Sequence, residues 1–299
     1  MGVYGLDIIR QKNMKILIIQ ENGRHSENKI FRECFNLQRA LLRKNVNTIV
    51  WGLGHDNFNT PFQQIIKDID VIILLENYES NGWLPDLSNI NKLKIFWSID
   101  SHMVLMNHIT TVVKNKIDIV LNAIESHQNY FKTSKTFYFP NAYPSDLISP
   151  IDSVDKNIFL GFCGSLLNRS EILDKLENKF GLKKDIWKLG NEMVKTINGY
   201  NIHFNKTLSN DINYRIFETM GCNTLMLTNS TENINTFFND MENIVIYNNE
   251  IELFEKLNIL YSDNDLIKKI SNSGYELVKN NHTYNNRVDV LLKIISDYI

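Results

Sequence analysis

The densest set of reactive side chains lies in the run Asn205-Lys206-Thr207-Leu208-Ser209-Asn210-Asp211-Ile212-Asn213-Tyr214-Arg215-Ile216-Phe217-Glu218-Thr219-Met220-Gly221-Cys222. It reads as a strand end, a polar loop, and a helix over 211–221 closed by Gly221. Asp211, Arg215, Glu218 and Cys222 recur at helical spacing and share a face. One reading is structural: Asp211 caps the helix and pairs with Arg215 at i+4, in solvent. The other is chemical. Glu218 sits between Phe217 and Met220, just ahead of an apolar strand, where a carboxylate is costly without a partner. A ribose diol would give it two hydroxyl donors. Both readings stay open on local sequence.

A second candidate is Phe162-Cys163-Gly164-Ser165-Leu166-Leu167-Asn168-Arg169, a strand running into a glycine, a short loop and a helix. Gly164 would let a ligand approach the backbone, and a helix N-terminus offers unpaired N–H groups to phosphate. Arg169 could add a forked contact. An ordinary βα turn with an exposed arginine explains the same residues. A third is Trp97-Ser98-Ile99-Asp100-Ser101-His102 at the end of an apolar strand. Asp100 and His102 could hold a sugar hydroxyl or move a proton, or Asp100 or Ser101 could cap a helix over 102–116. The loop Gly23-Arg24-His25 after the first strand could touch an acceptor, or lie on the surface.

These candidates need a frame that brings them to one edge. Apolar runs at 15–20, 47–51, 71–75, 93–98, 117–121 and 136–139 alternate with amphipathic stretches such as 27–45, which implies βαβ units and a mainly parallel sheet. Residues 140–156 hold three of the five prolines among polar residues and read as a linker. A second series follows, with strands near 157–162, 184–188, 200–204, 223–227 and 243–247. Its helices fall near 169–180, 211–221, 250–261 and 264–280, and 284–298 is also amphipathic. The fold class is α/β: two Rossmann-like domains, 1–145 with 284–299 and 146–283. In such sheets ligands sit at the carboxyl ends of strands.

Composition narrows the chemistry. A formal charge of −2 over 299 residues gives no bias toward nucleic acid. Cys34, Cys163 and Cys222 lack metal or disulfide spacing and suit a reducing, cytoplasmic setting. No apolar run is long enough to span a membrane, and MGVYGLDIIRQKN reads as an extension or as residues ahead of a start at Met14. Asp68-Ile69-Asp70 precedes its strand, which is the wrong end for a metal-nucleotide motif. Neither GxxxxGK[ST] nor GxSxG occurs.

The run Asn213-x-Arg215-x-Phe217-Glu218-x-x-x-Cys222, with Asp211 before it and Leu225-Met226-Leu227-Thr228 after it, resembles the signature of CgeB-like, spore-maturation type glycosyltransferases. Gly161-Phe162-x-Gly164-x-x-x-x-Arg169, Phe139-Pro140-Asn141-Ala142 and Gly274…His282-Thr283-Tyr284-x-x-Arg287 resemble other parts of that family. The N-terminal half matches in pattern, best at Trp97-x-x-Asp100-x-His102. The resemblance implies a GT-B fold facing a central cleft, its last helix crossing back to the first domain. It implies a nucleotide-diphosphate sugar (UDP- or GDP-sugar) as donor, no obligatory metal or cofactor, and retention at the anomeric carbon. It makes Glu218 the ribose ligand, Arg169 the basic residue at the diphosphate and Gly164 the glycine of that loop, with Asn213 and Arg215 belonging to its motif. Ser165, Lys206 and Asp211 complete the expected donor contacts. The wider family carries a Glu-x7-Glu pair, and here the first position is Asn210, with Asp211 one residue on.

The expected mechanism has Arg169, the amides near Gly164 and Ser165, and the 211–221 helix stabilising the departing diphosphate. Domain closure would bring His102, Asp100 and the Arg24–His25 loop to a glycan, protein or small-molecule acceptor. The alternatives are a sugar-nucleotide epimerase, a non-catalytic nucleotide-sugar or glycan-binding module, and transfer to a modified DNA base, which the net charge disfavours.

Overall fold

The computed structural model describes residues 14–77 and 82–299, so the expectation about the first thirteen residues falls outside it. The chain divides into two compact units, Met1–Pro140 with Tyr284–Ile299, and Asn141–Thr283. The division thus falls at Pro140, five residues before the expected boundary.

Unit 1 is built on six parallel strands: β1 (Lys15–Ile19), β2 (Asn47–Trp51), β3 (Val71–Leu75), β4 (Leu93–Ser98), β5 (Ile119–Asn122) and β6 (Lys135–Tyr138), in the order β2-β1-β3-β4-β5-β6. All five residues of β3 are buried. This is why it reads as a continuous β-branched and leucine run and not as an alternating one. Ile16 pairs in register with Thr48 on one side and Val71 on the other, which puts β1 and β3 side by side and makes their junction the point where the strand order reverses. Helices α1 (Glu33–Arg43), the short α2 (Phe62–Ile65) and α3 (Ser101–Asn115) cover the sheet. Asp70 Oδ2 accepts from the Lys15 amide at 2.8 Å, so the Asp68–Asp70 pair ties the amino ends of strands. The last helix, Tyr284–Ser296, returns to this unit. Tyr284 packs edge-on against Trp97, and Arg287 Nε donates to the Pro140 carbonyl at 2.8 Å.

Unit 2 has five parallel strands, β7 (Ile158–Gly164), β8 (Lys183–Ile186), β9 (Tyr200–Asn205), β10 (Leu225–Asn229) and β11 (Val245–Tyr247), in the order β11-β10-β9-β7-β8. Helices α4 (Ser170–Phe180), α5 (Gly190–Asn198), α6 (Tyr214–Gly221), α7 (Ile234–Phe237), α8 (Glu250–Ser262) and α9 (Asn264–Asn281) connect and cover them. Gly161 lies under the Tyr200 ring, where a Cβ would stand 2.4 Å from the ring carbons. That close approach lets β7 lie flat against β9.

Three local expectations change. The helix expected over 211–221 begins at Tyr214, so Asp211 lies in the preceding loop and off the helix face. Gly221 is inside the helix and faces Tyr143, with the left-handed position two residues on at Asn223. The proline-rich 140–156 stretch is also no loose tether. Residues 141–144 are buried, Tyr143 bridges Thr283, and Asn198 holds the Ile151 amide and the Ser149 carbonyl. Its prolines and polar side chains are used to pack it, and composition alone does not distinguish that from a solvated linker.

Candidate functional site

In unit 2 the strand order reverses between β7 and β9, so the loops leaving these two strands meet at the carboxyl edge. Arg169 joins them. Its Nε donates to the Lys206 carbonyl at 2.8 Å and its Nη1 to the Ser165 carbonyl at 3.2 Å. Burial and the nearby charge of Arg215 both disfavour its cationic form. Two guanidinium groups that repel each other at a strand-order reversal make a place where an anion is favoured. Gly164 is half-buried here. A Cβ on it would meet nothing closer than the Phe162 ring at 3.4 Å, an ordinary contact, and its φ is not in the left-handed region. Neither packing nor backbone geometry requires a glycine at this position.

Glu218 and Arg215 form an ion pair at 2.9 Å on α6, with side chains 17% and 23% exposed. This replaces the expected Asp211–Arg215 pair. The geometry follows from the helix start: with Tyr214 in its first turn, Arg215 has an i+3 partner ahead and no helical partner behind. The Asp211 carboxylate instead accepts from the Ser209 hydroxyl. Asn213 occupies the cap position with an extended backbone but makes no capping bond through its side chain, and its Oδ1 is buried without a hydrogen bond among the described residues. A buried, unmatched acceptor is costly unless something supplies a donor. Beside the β7 and β9 loops lies a pocket of about 720 Å³, bordered by Asn168, Ser170, Lys206, Asn229, Tyr247 and Glu250 at the carboxyl ends of four strands.

Residues 169–293 match the glycosyl transferase-like family. No curated protein matches the chain. Among solved structures it is similar to an α-glucosyltransferase in complex with UDP and a 13-mer DNA containing a central A:G mismatch, at 12% identity, 95% of this chain and 99% of that one, TM-score 0.69. It is also similar to sucrose-phosphate synthase from Thermosynechococcus elongatus, at 10% identity over 95% and 98% of the two chains, TM-score 0.66. A third is HepE from Anabaena in complex with UDP and glucose, at 11% identity over 95% and 100%, TM-score 0.63. With two parallel Rossmann-like sheets already traced, these near-complete superpositions decide the architecture. The fold is GT-B.

Within this GT-B chain, Gly164 ends β7, and Ser165, Arg169, Lys206, Asp211, Asn213, Arg215 and Glu218 fall on the two loops and the helix that follow β7 and β9. The unit 1 candidates fall on two segments, Asp100 and His102 at the start of α3 and Arg24 and His25 in the loop after β1. Asp100 starts α3 without a side-chain cap, its amide donating to Glu76 Oε2 at 2.6 Å. His102 is exposed on α3, as are Arg24 and His25 in their loop. Among the described residues no group of three or more His, Cys, Asp or Glu side chains could hold a metal ion, and no helix is long and apolar enough to cross a membrane.

Three residues of this GT-B chain escaped the sequence reading. His203 on β9 is fully buried, accepts from the Cys163 amide at Nε2 (3.1 Å) and so carries its proton on Nδ1, 2.6 Å from Thr219 Oγ1. It fixes the site's three elements, β7, β9 and α6, to one another, and burial depresses its basicity well below the usual imidazole value. Trp187 follows β8, is 70% exposed, and has φ +58°. Because Ile186 is the register partner of Gly164, Trp187 leaves the sheet beside Ser165. An exposed indole in the left-handed region is disfavoured twice over, a combination that concentrates at functional sites. The third, Glu76, directly follows β3 and is half-buried through contacts that local sequence does not signal.

Proposed function

We propose that this chain is a glycosyltransferase that takes its sugar from a nucleotide-diphosphate donor held at the carboxyl edge of unit 2. The observation that carries this is the Arg169 bridge between the β7 and β9 loops, with the charge of Arg215 next to it. In this reading the backbone amides after Gly164 and the Arg169 and Lys206 cations stabilise the diphosphate as it leaves. Gly164 keeps its side open for the close approach of phosphate oxygens. Glu218, oriented by Arg215, accepts from the ribose hydroxyls. The Asn213 Oδ1 gains a donor from the bound ligand, and Trp187 offers its face to the base. UDP in the similar α-glucosyltransferase and HepE structures supports a uridine nucleotide over other diphosphates.

The finer features belong to the same proposal: the CgeB-like branch, retention at the anomeric carbon, and diphosphate stabilisation by cations and amides without a metal. In a retaining front-face reaction the acceptor hydroxyl's oxygen bonds to the anomeric carbon as the bond to the diphosphate oxygen breaks, and the leaving phosphate takes the proton. His102, Asp100 and the Arg24–His25 loop remain the acceptor-side candidates.

Calorimetric titration with UDP, GDP and their glucose conjugates tests the donor site. One of them should bind, and Glu218→Ala should weaken it by tenfold or more, about 1.4 kcal/mol or above. The half-buried Arg215–Glu218 pair is worth about 1 kcal/mol to folding at most. A loss confined to stability, with nucleotide affinity unchanged, would sink the assignment.

The DNA-bound α-glucosyltransferase favours one second reading, a DNA base as acceptor. Duplex affinity that falls steeply with salt would support it. Salt-independent or absent binding would remove it.

A further inference from the structure

Unit 1 also has a strand-order reversal, between β1 and β3, and the residue leaving β3 there is Glu76. Its two carboxylate oxygens are treated differently. Oε2 accepts from the Ile99 amide at 3.1 Å and the Asp100 amide at 2.6 Å, and lies 3.3 Å from His108 Nε2. His108 Nδ1 is 2.9 Å from Ser98 Oγ, so a hydroxyl donating to Nδ1 leaves the Nε2 proton facing the carboxylate. Oε1 has no hydrogen bond among the described residues, although the Glu76 side chain is only 10% exposed. One oxygen anchors the start of α3, and the other keeps unused acceptor capacity on a half-buried side chain.

Glu76 and His108 line a cavity of about 150 Å³, roughly the room one sugar ring needs. Asn107 and Thr111 from α3 bring an amide and a hydroxyl, and Phe96 adds an apolar wall whose ring packs edge-on against His108. The lining has no lysine or arginine among the described residues. A phosphate would find a carboxylate there and no cation, whereas a neutral polyol would find an acceptor, an amide, a hydroxyl and an apolar face. α3 is kinked at Val104 (φ −136°, ψ 30°), and Val104 itself borders the cavity.

We propose that Glu76, with Oε2 pinned and Oε1 open, is the hydroxyl-binding carboxylate of a second ligand site in unit 1 that takes one neutral sugar ring. Calling that ring the acceptor rests on the glycosyltransferase reading above, but the site itself does not. The groups that face Glu76 reinforce the assignment. Asp100 stands at the start of α3. Glu33 approaches from α1 through Gln20, whose Nε2 donates to Glu33 Oε2 at 2.9 Å and to the Glu76 carbonyl at 3.0 Å, and Arg32 lies 3.5 Å from Glu33. Burial first, and then the charge of Asp100, push the Glu76 carboxyl well above the usual carboxylate range. Burial holds the His108 imidazole down, to about 4. A carboxyl kept near its proton at neutral pH can both accept from and donate to a sugar hydroxyl.

The test is carboxyl-carbon NMR on wild-type protein labelled with 13C at the glutamate side-chain carboxyl, titrated with methyl α-glucopyranoside. The Glu76 resonance is identified by its loss in Glu76→Gln, or in Glu76→Asp where Gln does not fold. It should titrate above the other glutamates and shift saturably with the sugar. In Glu76→Gln the side-chain oxygen is needed by the Ile99 and Asp100 amides, so the cavity meets an NH2 that cannot accept; the sugar should bind about tenfold more weakly, the upper end of losing one neutral hydrogen bond, while UDP affinity stays unchanged. A Glu76 resonance unmoved by the sugar, or undiminished sugar binding in the variant, overturns the site. UDP binding to the wild type is read separately. Its absence, with the sugar shift present, sinks the donor assignment and leaves this site standing.

Discussion

Arg169 reaches from the loop after β7 to the Lys206 carbonyl after β9, closing a 2.8 Å hydrogen bond between two segments thirty-seven residues apart in sequence. The contact uses a guanidinium N–H where a main-chain carbonyl would otherwise lie unpaired at the sheet edge. A positive charge is thereby fixed beside the open face of Gly164. Arg169→Lys keeps the charge and loses the fork that reaches both carbonyls. It should lower UDP affinity by about tenfold, close to the effect of Arg169→Ala, with little change in melting temperature. Calorimetry on both variants checks this, and full affinity in the lysine variant would mean that charge alone suffices.

Gly161 and Gly164 stand three residues apart on β7 and should respond oppositely to one added methyl. Gly161→Ala drives a Cβ into the Tyr200 ring and should cost about 1–3 kcal/mol of stability. Gly164→Ala meets only an ordinary contact with Phe162, so folding should hold while nucleotide affinity falls. Urea unfolding and UDP titration of the two variants separate the effects. A destabilised Gly164→Ala that still binds UDP normally would contradict the open-face argument.

His203 should make the protein acid-sensitive. Its folded basicity is depressed, so its contribution to stability is fully present above the unfolded value near 6.5 and is lost as pH falls below it. His108 acts in the same direction between about 6.5 and about 4. Each fully uncompensated imidazole steepens the loss by about 1.4 kcal/mol per pH unit. His203→Leu should be about 1–3 kcal/mol less stable at pH 7, because the buried Cys163 amide loses its acceptor. It should also unfold with a shallower acid slope. Denaturant midpoints from pH 8 to 4 read both, and an unchanged slope would remove His203 as the cause.

Trp187→Gly relieves the left-handed strain and removes an exposed ring. Stability should hold or rise by about 0.5–1 kcal/mol, after subtracting the glycine's greater unfolded-state entropy. Nucleotide affinity should fall, because an aromatic face for the base is lost. If melting temperature and UDP affinity both stay at wild-type values, the strained conformation has no part in binding.

The strands of both sheets were legible because a doubly covered parallel strand has to be apolar along its length, as Val71–Leu75 and Leu225–Leu227 are. The Gly164–Arg169 and Lys206–Glu218 segments were legible for a related reason: polar clusters just past such strands have to lie at the carboxyl edge. Helix starts were less so. Asp211 looks like a good cap, but Ser209 engages its carboxylate and α6 begins three residues later. Local spacing states which side chains can share a face and leaves open which competing partner wins.

By itself, the sequence determined the alternation of strands and helices, the two-unit organisation, and which polar segments end at the carboxyl edge of unit 2. All of these follow from periodicity and chain order. Tertiary structure decided the partners. Arg215 pairs with Glu218 and not Asp211, His203 ties Cys163 to Thr219, and Glu76 meets His108 from a helix more than thirty residues away. Which oxygen is pinned and which is left open depends on strand order and helix placement. Those are set by the burial of whole faces at once, and no local window of residues contains them.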